Sequence, residues 1–268
     1  MTISWRVGRA SAALLGAMLA GVAFGAEWEG YEPLTRQELI AAIAGGGVEP
    51  QLTSKNLQGA DLSGVDFRGA NLSASVLNRA NLSGATLDRC NLTVSFLEDA
   101  DLSGASLREA TFFSTQLAGA KLTGADLTGA RLIGDLRKAD LSNARVIRVN
   151  AAPDMKNQSM GLMRANLVNA RAIEADFSDS DFSRTDFSFS DLSRAKLRRT
   201  KLYRADFSGA TVAGADLSAA DLRDSVLIDT DFSGANLTNA DLTGATVRSI
   251  RGLDTAITTG ARGLPQSE

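Results

Sequence analysis

The residues able to do chemistry in this chain are mostly aspartates, and they recur at fixed spacing. Asp61, Asp66, Asp101, Asp176, Asp181, Asp186 and Asp191 are separated by multiples of five, each directly before a Leu or Phe. Paired carboxylates can act as general acid and base or hold a hard cation such as Ca²⁺. Neither use has the companions it needs. The chain has no His and a single Cys, Cys90. The commonest general base and metal ligand is therefore missing, and an intrachain disulfide or a Cys-based zinc site is excluded. No loop has EF-hand or nonapeptide spacing. The aspartates therefore read as turn-bonding or solvated residues placed by a repeat. No catalytic residue, metal site or cofactor is expected. Cys90 occupies a small-residue slot and reads as a packing residue.

Three further sets have spacing that matters. Arg194, Lys196, Arg198, Arg199, Lys201 and Arg204 form a basic cluster, and Arg164 and Arg184 precede Arg204 at twenty-residue steps. Such a stripe suits a phosphate, an anionic polymer or an acidic partner. Asp176, Asp181, Asp186, Asp191 and Asp206 offer local charge balance, which is the favoured reading. Tyr203 and Phe189 are the outward aromatics nearby, thin support for nucleic-acid stacking. Val76, Val94, Phe96, Phe113 and Ile133 occupy positions expected to face solvent, and an exposed apolar patch marks a contact. The alternative, that the N-terminal segment or residues 147–161 fold over them, carries equal weight. Finally, Ser63, Ser83, Ser103 and Thr123 form a hydroxyl ladder beside Gly64, Gly84, Gly104 and Gly124. It could face ice or a polysaccharide, although the repeat's own preference for Ser or Thr explains it more simply.

The elements that must position these residues begin after an address. Arg6 and Arg9 precede the apolar run Ala10–Phe24, and small residues follow at Gly25 and Ala26. This is the order of a secretory signal peptide, cleaved after Gly25 or Ala26, and the run is short for a membrane span. The expected location is exported and periplasmic, with no stable span after cleavage. Thr35 and Glu38 form a capping box ahead of Leu39, Ile40 and Ile43, and Gly45-Gly46-Gly47 ends that short helix. Residues 27–50 are read as an N-terminal cap segment, since a repeat array needs its ends covered.

From Leu52 a period of five governs the chain. Leu or Phe stands at every fifth position to Leu132, and the pattern returns from Leu162 to Val247, weakest at Ala172. Two residues earlier a small residue recurs, as at Ala60, Val65, Ala70, Ser75 and Ala80. Five is neither the helix nor the strand period. It suits a chain that turns a corner each unit, points the small residue and the Leu inward, and stacks its coils.

Ala60-Asp61-Leu62-Ser63-Gly64 and Ala235-Asn236-Leu237-Thr238-Asn239 carry this motif almost unaltered, and with them the sequence resembles the pentapeptide-repeat family. The resemblance implies an all-β, right-handed, four-sided parallel β-helix with four pentapeptides per coil, over residues 51–249. Nine or ten coils would form a rod of roughly 45 Å. Charge supports a twenty-residue coil: Lys196 would lie between Asp176 and Asp216, and Lys201 between Asp181 and Asp221, while Asp186–Asp206 and Asp221–Asp241 are like pairs. After Leu132 the centres Leu136, Leu141 and Val146 fall one residue early. An interruption is expected near 147–161, and a C-terminal cap and tail at 250–268.

Formal charge is −3, of which residues 1–50 carry −2 and residues 51–268 only −1. The composition favours an exported, non-enzymatic scaffold whose partner is another protein of the cell envelope, with a homodimer compatible. Protection of a topoisomerase such as gyrase by DNA mimicry, which the resemblance brings in, needs a strongly acidic surface and a cytoplasmic location. A polysaccharide-active β-helix enzyme needs long loops around a groove. Both rank below the scaffold.

Overall fold

The computed structural model describes residues 31–153 and 164–264. The expected signal peptide 1–26, residues 27–30, positions 154–161 of the interruption, Leu162, Met163 and the tail 265–268 lie outside the described residues.

Each five-residue unit is a turn closed on itself. The small residue's N–H donates to the carbonyl of the centre three positions back, as in Ala60 to Leu57 (3.1 Å) and Ala80 to Leu77 (3.0 Å). The residue two after the centre sits at the corner with positive φ: Gly64 at 64° and Gly84 at 63°, but also Arg79 at 58° and Val94 at 60°. The recurrent glycine is thus a corner residue, because the left-handed region costs an L side chain about 1–2 kcal/mol. Centre and small residue point inward: Leu62, Leu82, Ala80 and Ala100 are all fully buried.

Four turns make one coil, and the coils stack in parallel. One ladder runs Gln51, Asn71, Asn91, Thr111, Arg131, Asn150, Asp181, Lys201, Asp221, Asp241, Arg262. Three others start at Asn56, Asp61 and Asp66. These four ladders are the sides one to four of the solenoid, in that order. Neighbouring coils are joined from both directions: Leu62 N–H donates to Asn81 O (2.7 Å) and Asn81 N–H to Ala60 O (2.9 Å). Most rungs are single bridges. Longer strands occur at β1 (Glu32–Pro33), β2 (Lys55–Asn56), β3 (Thr111–Gln116), β4 (Arg131–Asp135), β5 (Val226–Ile228) and β6 (Thr246–Arg248).

The interior is one continuous apolar column from Leu39 to Leu242. Rings from three sides meet within it: Phe177, Phe182 and Phe187 pack edge-on or tilted, and Phe187 stacks on Phe207 with centroids 5.0 Å apart. Most inward hydroxyls find an acceptor in the coil below, whereas those of Thr185 and Ser225 are buried with no partner among the described residues. Ser75 donates to Leu52 O, Ser95 to Leu72 O, Thr115 to Leu92 O, Thr200 to Phe177 O and Thr230 to Phe207 O, at 2.7–3.0 Å.

The phase slip has two parts. Between Phe113 and Thr115 the pairing of β3 with β4 shifts, so that Thr115 faces Gly134 and the register steps over Ser114. That side of the coil is one residue short, which moves Leu136, Leu141 and Val146 early. The excess that restores phase is inserted later than the sequence suggests. Asn150 still bridges Arg131, and the next rung of side two pairs Asp135 with Asn166. Positions 147–150 therefore belong to the coil. At the other end the ladders pass the expected boundary at 249 and include Arg251, Ile257 and Arg262.

Helix α1 (Arg36–Gly45) begins at the expected N-cap Thr35, with both halves of the Glu38 capping box formed. Leu39 is buried in the column, Ile43 packs against it, and Ile40 is exposed. Arg36 reaches the edge of the first coil, where Asp61 O and Ser63 O have no earlier coil to bond. Its Nη1 and Nη2 donate to them at 2.7 and 2.9 Å. Among the described residues no helix is long and apolar enough to cross a membrane.

Candidate interaction surfaces

The aspartate ladder is structural in detail. Oδ1 of the Asp or Asn before each centre accepts from the N–H two residues on: Asp61 from Ser63 (3.1 Å), Asp101 from Ser103 (3.0 Å), Asp176 from Ser178 (3.1 Å), Asp191 from Ser193 (3.0 Å). Where Ser or Thr follows, its hydroxyl often donates to the same oxygen, at 2.6 Å in Asp181–Ser183 and Asp191–Ser193. This closed turn explains the Asx–centre–Ser/Thr order of the repeat. In the hydroxyl ladder Ser83 is held in the same way, its Oγ donating to Asn81 Oδ1 at 2.7 Å, while Thr123 follows Lys121 and has no such oxygen. No group of three Asp, Glu, Cys or His able to hold a metal ion occurs among the described residues. Cys90 is fully buried, its Sγ 3.1 Å from Phe67 O. Burial pushes its thiol up to about 12, which leaves it unreactive.

The cations contiguous in sequence do not form one patch. The coil disperses them, because five residues advance the chain by a whole side. Arg164, Arg184 and Arg204 do share one edge, between sides one and two. Arg194 lies on the diagonally opposite edge, Arg198 on side four and Arg199 on the edge between sides four and one. Most also have acidic neighbours. Arg164 pairs with Asp186 (3.3 Å), Arg194 with Glu174 (2.9 Å), Arg198 with Asp216 (2.5 Å), Arg199 with Asp179 (2.6 Å) and Arg204 with Asp224 (3.5 Å). Lys196 and Lys201 pair with Asp176 and Asp181, as the twenty-residue register implies. Arg184 alone of the set makes no ion pair among the described residues. The guanidinium of Arg204 also lies over Tyr203, 5.1 Å from its centroid. The like pairs are relieved by other cations: Asp186 by Arg164, Asp221 by Arg223 at 2.7 Å.

The apolar set, by contrast, converges. Phe113 and Ile133 stand on side one, Val94 at the corner, and Val76 and Phe96 on side two, so all five border a single edge. They are not an open patch, however. Val76 has 0 % and Ile133 1 % of its surface exposed, and Val94, Phe96 and Phe113 are half-buried. For Ile133 the reason is local: Asn150 bridges Arg131, so the stretch Ala151–Pro153 runs beside it in the next coil, and Pro153 is itself buried. Val76 stands between Asn56 and Phe96 in the ladder of side two.

Phe189 faces outward as expected, 64 % exposed. Two details escaped sequence reasoning. Phe189 holds positive φ (59°) at a corner and lies over Gly209, where a Cβ would collide with its ring. The Gly at the next corner up was the available signal. Asp88 replaces the usual Ser/Thr/Arg after a centre and is buried, accepting from Arg108 Nη2 at 2.6 Å and from Ser106.

Comparison with known proteins matches a family model described as pentapeptide repeats, in eight copies, at residues 56–93, 97–134, 162–199 and 205–244. Among solved structures, HetL, a pentapeptide repeat protein involved in heterocyst differentiation regulation from the cyanobacterium Nostoc sp. strain PCC 7120, is 28 % identical. The match covers 85 % of this chain and 98 % of HetL, with a TM-score of 0.43. QnrB1, a plasmid-mediated fluoroquinolone resistance protein, is 20 % identical over 80 % of this chain and 92 % of its own, with a TM-score of 0.50. No curated protein matches.

Proposed function

The chain belongs to the pentapeptide-repeat family, and from that premise we propose that it is an exported, non-enzymatic scaffold that offers its sides to another protein of the cell envelope. The observation that carries this reading is the commitment of its polar groups. The recurrent carboxylates are held in their own turns or in ion pairs, and the interior is filled from end to end. A rod of this kind presents long surfaces rather than a reaction centre. In this reading α1 caps the column: it buries Leu39 on the first coil and supplies donors to that coil's edge carbonyls. The C-terminal end carries the exposed Ile257 and the half-buried Leu253 and Leu264, and end-to-end pairing of two copies is the form a homodimer would take.

Export is read from Arg6, Arg9 and the run Ala10–Phe24. The charge pattern favours it over topoisomerase protection, since lysines alternate with aspartates along sides one and four and interrupt any acidic face. Fractionation with N-terminal sequencing of the native protein tests the reading. A mature chain starting at Ala26 or Glu27 in the exported fraction is expected. A full-length chain in the cytosol that also inhibits gyrase supercoiling would overturn it.

A further inference from the structure

We infer that side one of the lower coils binds an acidic polysaccharide, with Arg131 receiving the carboxylate of a uronic-acid unit and Phe113 the face of its ring. The site is additional to the protein contact proposed above and does not depend on it.

The first observation is the company Arg131 keeps. Other ladder cations are set among aspartates. Lys121 lies between Asp101 and Asp140, Arg145 between Asp126 and Asp176, and Arg171 between Asp140 and Asp191. Lys196 and Lys201 are flanked in the same way, and Arg251 and Arg262 end their ladders above Asp231 and Asp241. Arg131 stands instead between Thr111 and Asn150, and it makes no ion pair among the described residues. The exception extends over the face. From Gln51 to Asn150 this ladder holds no carboxylate, and neither does the outward column two residues on, from Thr53 to Ala152. Glu109, on the bordering edge, is taken up by Arg89 at 3.0 Å. The repeat does not impose this, because the next rungs of the same side carry Asp181, Lys201, Asp221 and Asp241. A half-buried cation facing no acid leaves the face attractive to an anion.

The second observation is what lies beside it. Thr111 and Phe113 are two apart on β3, so their side chains leave the same face, and β4 sets Arg131 next to Thr111. Phe113 keeps part of its surface open. One rung below, Asn91 commits its Oδ1 to the N–H of Thr93 at 3.0 Å, and its amide N–H groups have no partner among the described residues. The hydroxyls of Thr93 and Thr111 are equally unspent there, unlike those of Ser183 and Ser193, which donate to their own aspartates.

A uronic acid matches this set on one rigid unit. Its carboxylate suits the guanidinium fork, its hydroxyls suit the amide and threonines, and its C–H face suits the phenyl ring. An acidic peptide would use the arginine and leave the polar row idle. Rungs about 4.8 Å apart are close to the advance of one sugar along an extended chain, so neighbouring units meet neighbouring rungs.

Titration calorimetry of the full-length protein with oligogalacturonate at low salt tests the site. Binding is expected, with a neutral cello-oligosaccharide and polyglutamate both far weaker. Arg131→Gln should weaken it about tenfold or more, and Phe113→Thr several-fold. Both variants place residues already present on these columns, at Gln51 and Thr93, and should leave the urea midpoint unchanged. Arg171→Gln, on side three, should bind as the parent does. No binding of oligogalacturonate would overturn the inference. Equal losses for Arg131→Gln and Arg171→Gln would do so as well, by showing diffuse charge attraction. Polyglutamate binding as tightly would replace the sugar with an acidic peptide, and a neutral oligosaccharide binding as tightly would remove Arg131 from recognition; either overturns it.

Discussion

Truncating Phe187 to alanine tests the twenty-residue register from inside the column. Phe187 stacks on Phe207 with an interplanar angle of 11° and also touches Phe177 and Phe182, at centroid distances of 6.3 and 5.6 Å. Its backbone N–H is bonded to Asp206 O at 2.7 Å, so the ladder cannot close in to fill a void. A core Phe→Ala change costs about 3–5 kcal/mol, and a site that does not relax belongs at the upper end. Phe187→Leu restores the commoner centre residue and should cost about 1.5 kcal/mol or less. The stacked pair adds a sharper reading. A double-mutant cycle of Phe187→Leu with Phe207→Leu should give a coupling of about 0.5–1.5 kcal/mol. The same cycle with Phe232, which lies on a different side and farther along the column, should give none. Urea unfolding followed by two probes supplies the free energies, provided the transitions coincide. A coupling between positions 187 and 207 indistinguishable from that between 187 and 232 would refute the stacking register.

Two further predictions follow from the turns and their charges. Asp191→Asn keeps the oxygen that accepts from Ser193 and should be nearly neutral, whereas Asp191→Ala should lose about 1–2 kcal/mol in thermal or urea unfolding; equal effects would discount the closed turn. With no His in the chain, stability should be flat between pH 5 and 8. The hydroxyl and N–H of Ser233 hold the Asp231 carboxyl below its usual range, and those of Thr243 do the same for Asp241. Groups depressed by folding stabilise above their unfolded pKa, about 3.9, and that contribution is lost as pH falls through the lower folded values. Glu98 behaves oppositely: burial, then Asp99 and Asp135, raise its carboxyl. It opposes folding at neutral pH, so Glu98→Gln should stabilise at pH 7 and cease to matter in acid.

What the sequence determined by itself was whatever depends on a residue's place within its own five. Inward Leu, small residue and Asx follow from one turn geometry, and so does the capping box Thr35–Glu38, because each closes over three residues or fewer. The twenty-residue stacking was legible too, since Lys196 and Lys201 alternate with aspartates at that interval. Only the tertiary structure decided how far errors of phase propagate. The register steps over Ser114 because the facing side, Arg131–Asp135, is one residue short, and the restoring excess enters after Asn150 although the motif already fails at Ile147. It also dispersed the basic cluster over opposite edges while gathering Val76, Val94, Phe96 and Phe113 onto one. Nearness across coils depends on the running sum of side lengths, and burial at an outward position depends on what lies over it, so neither is written in a local pattern.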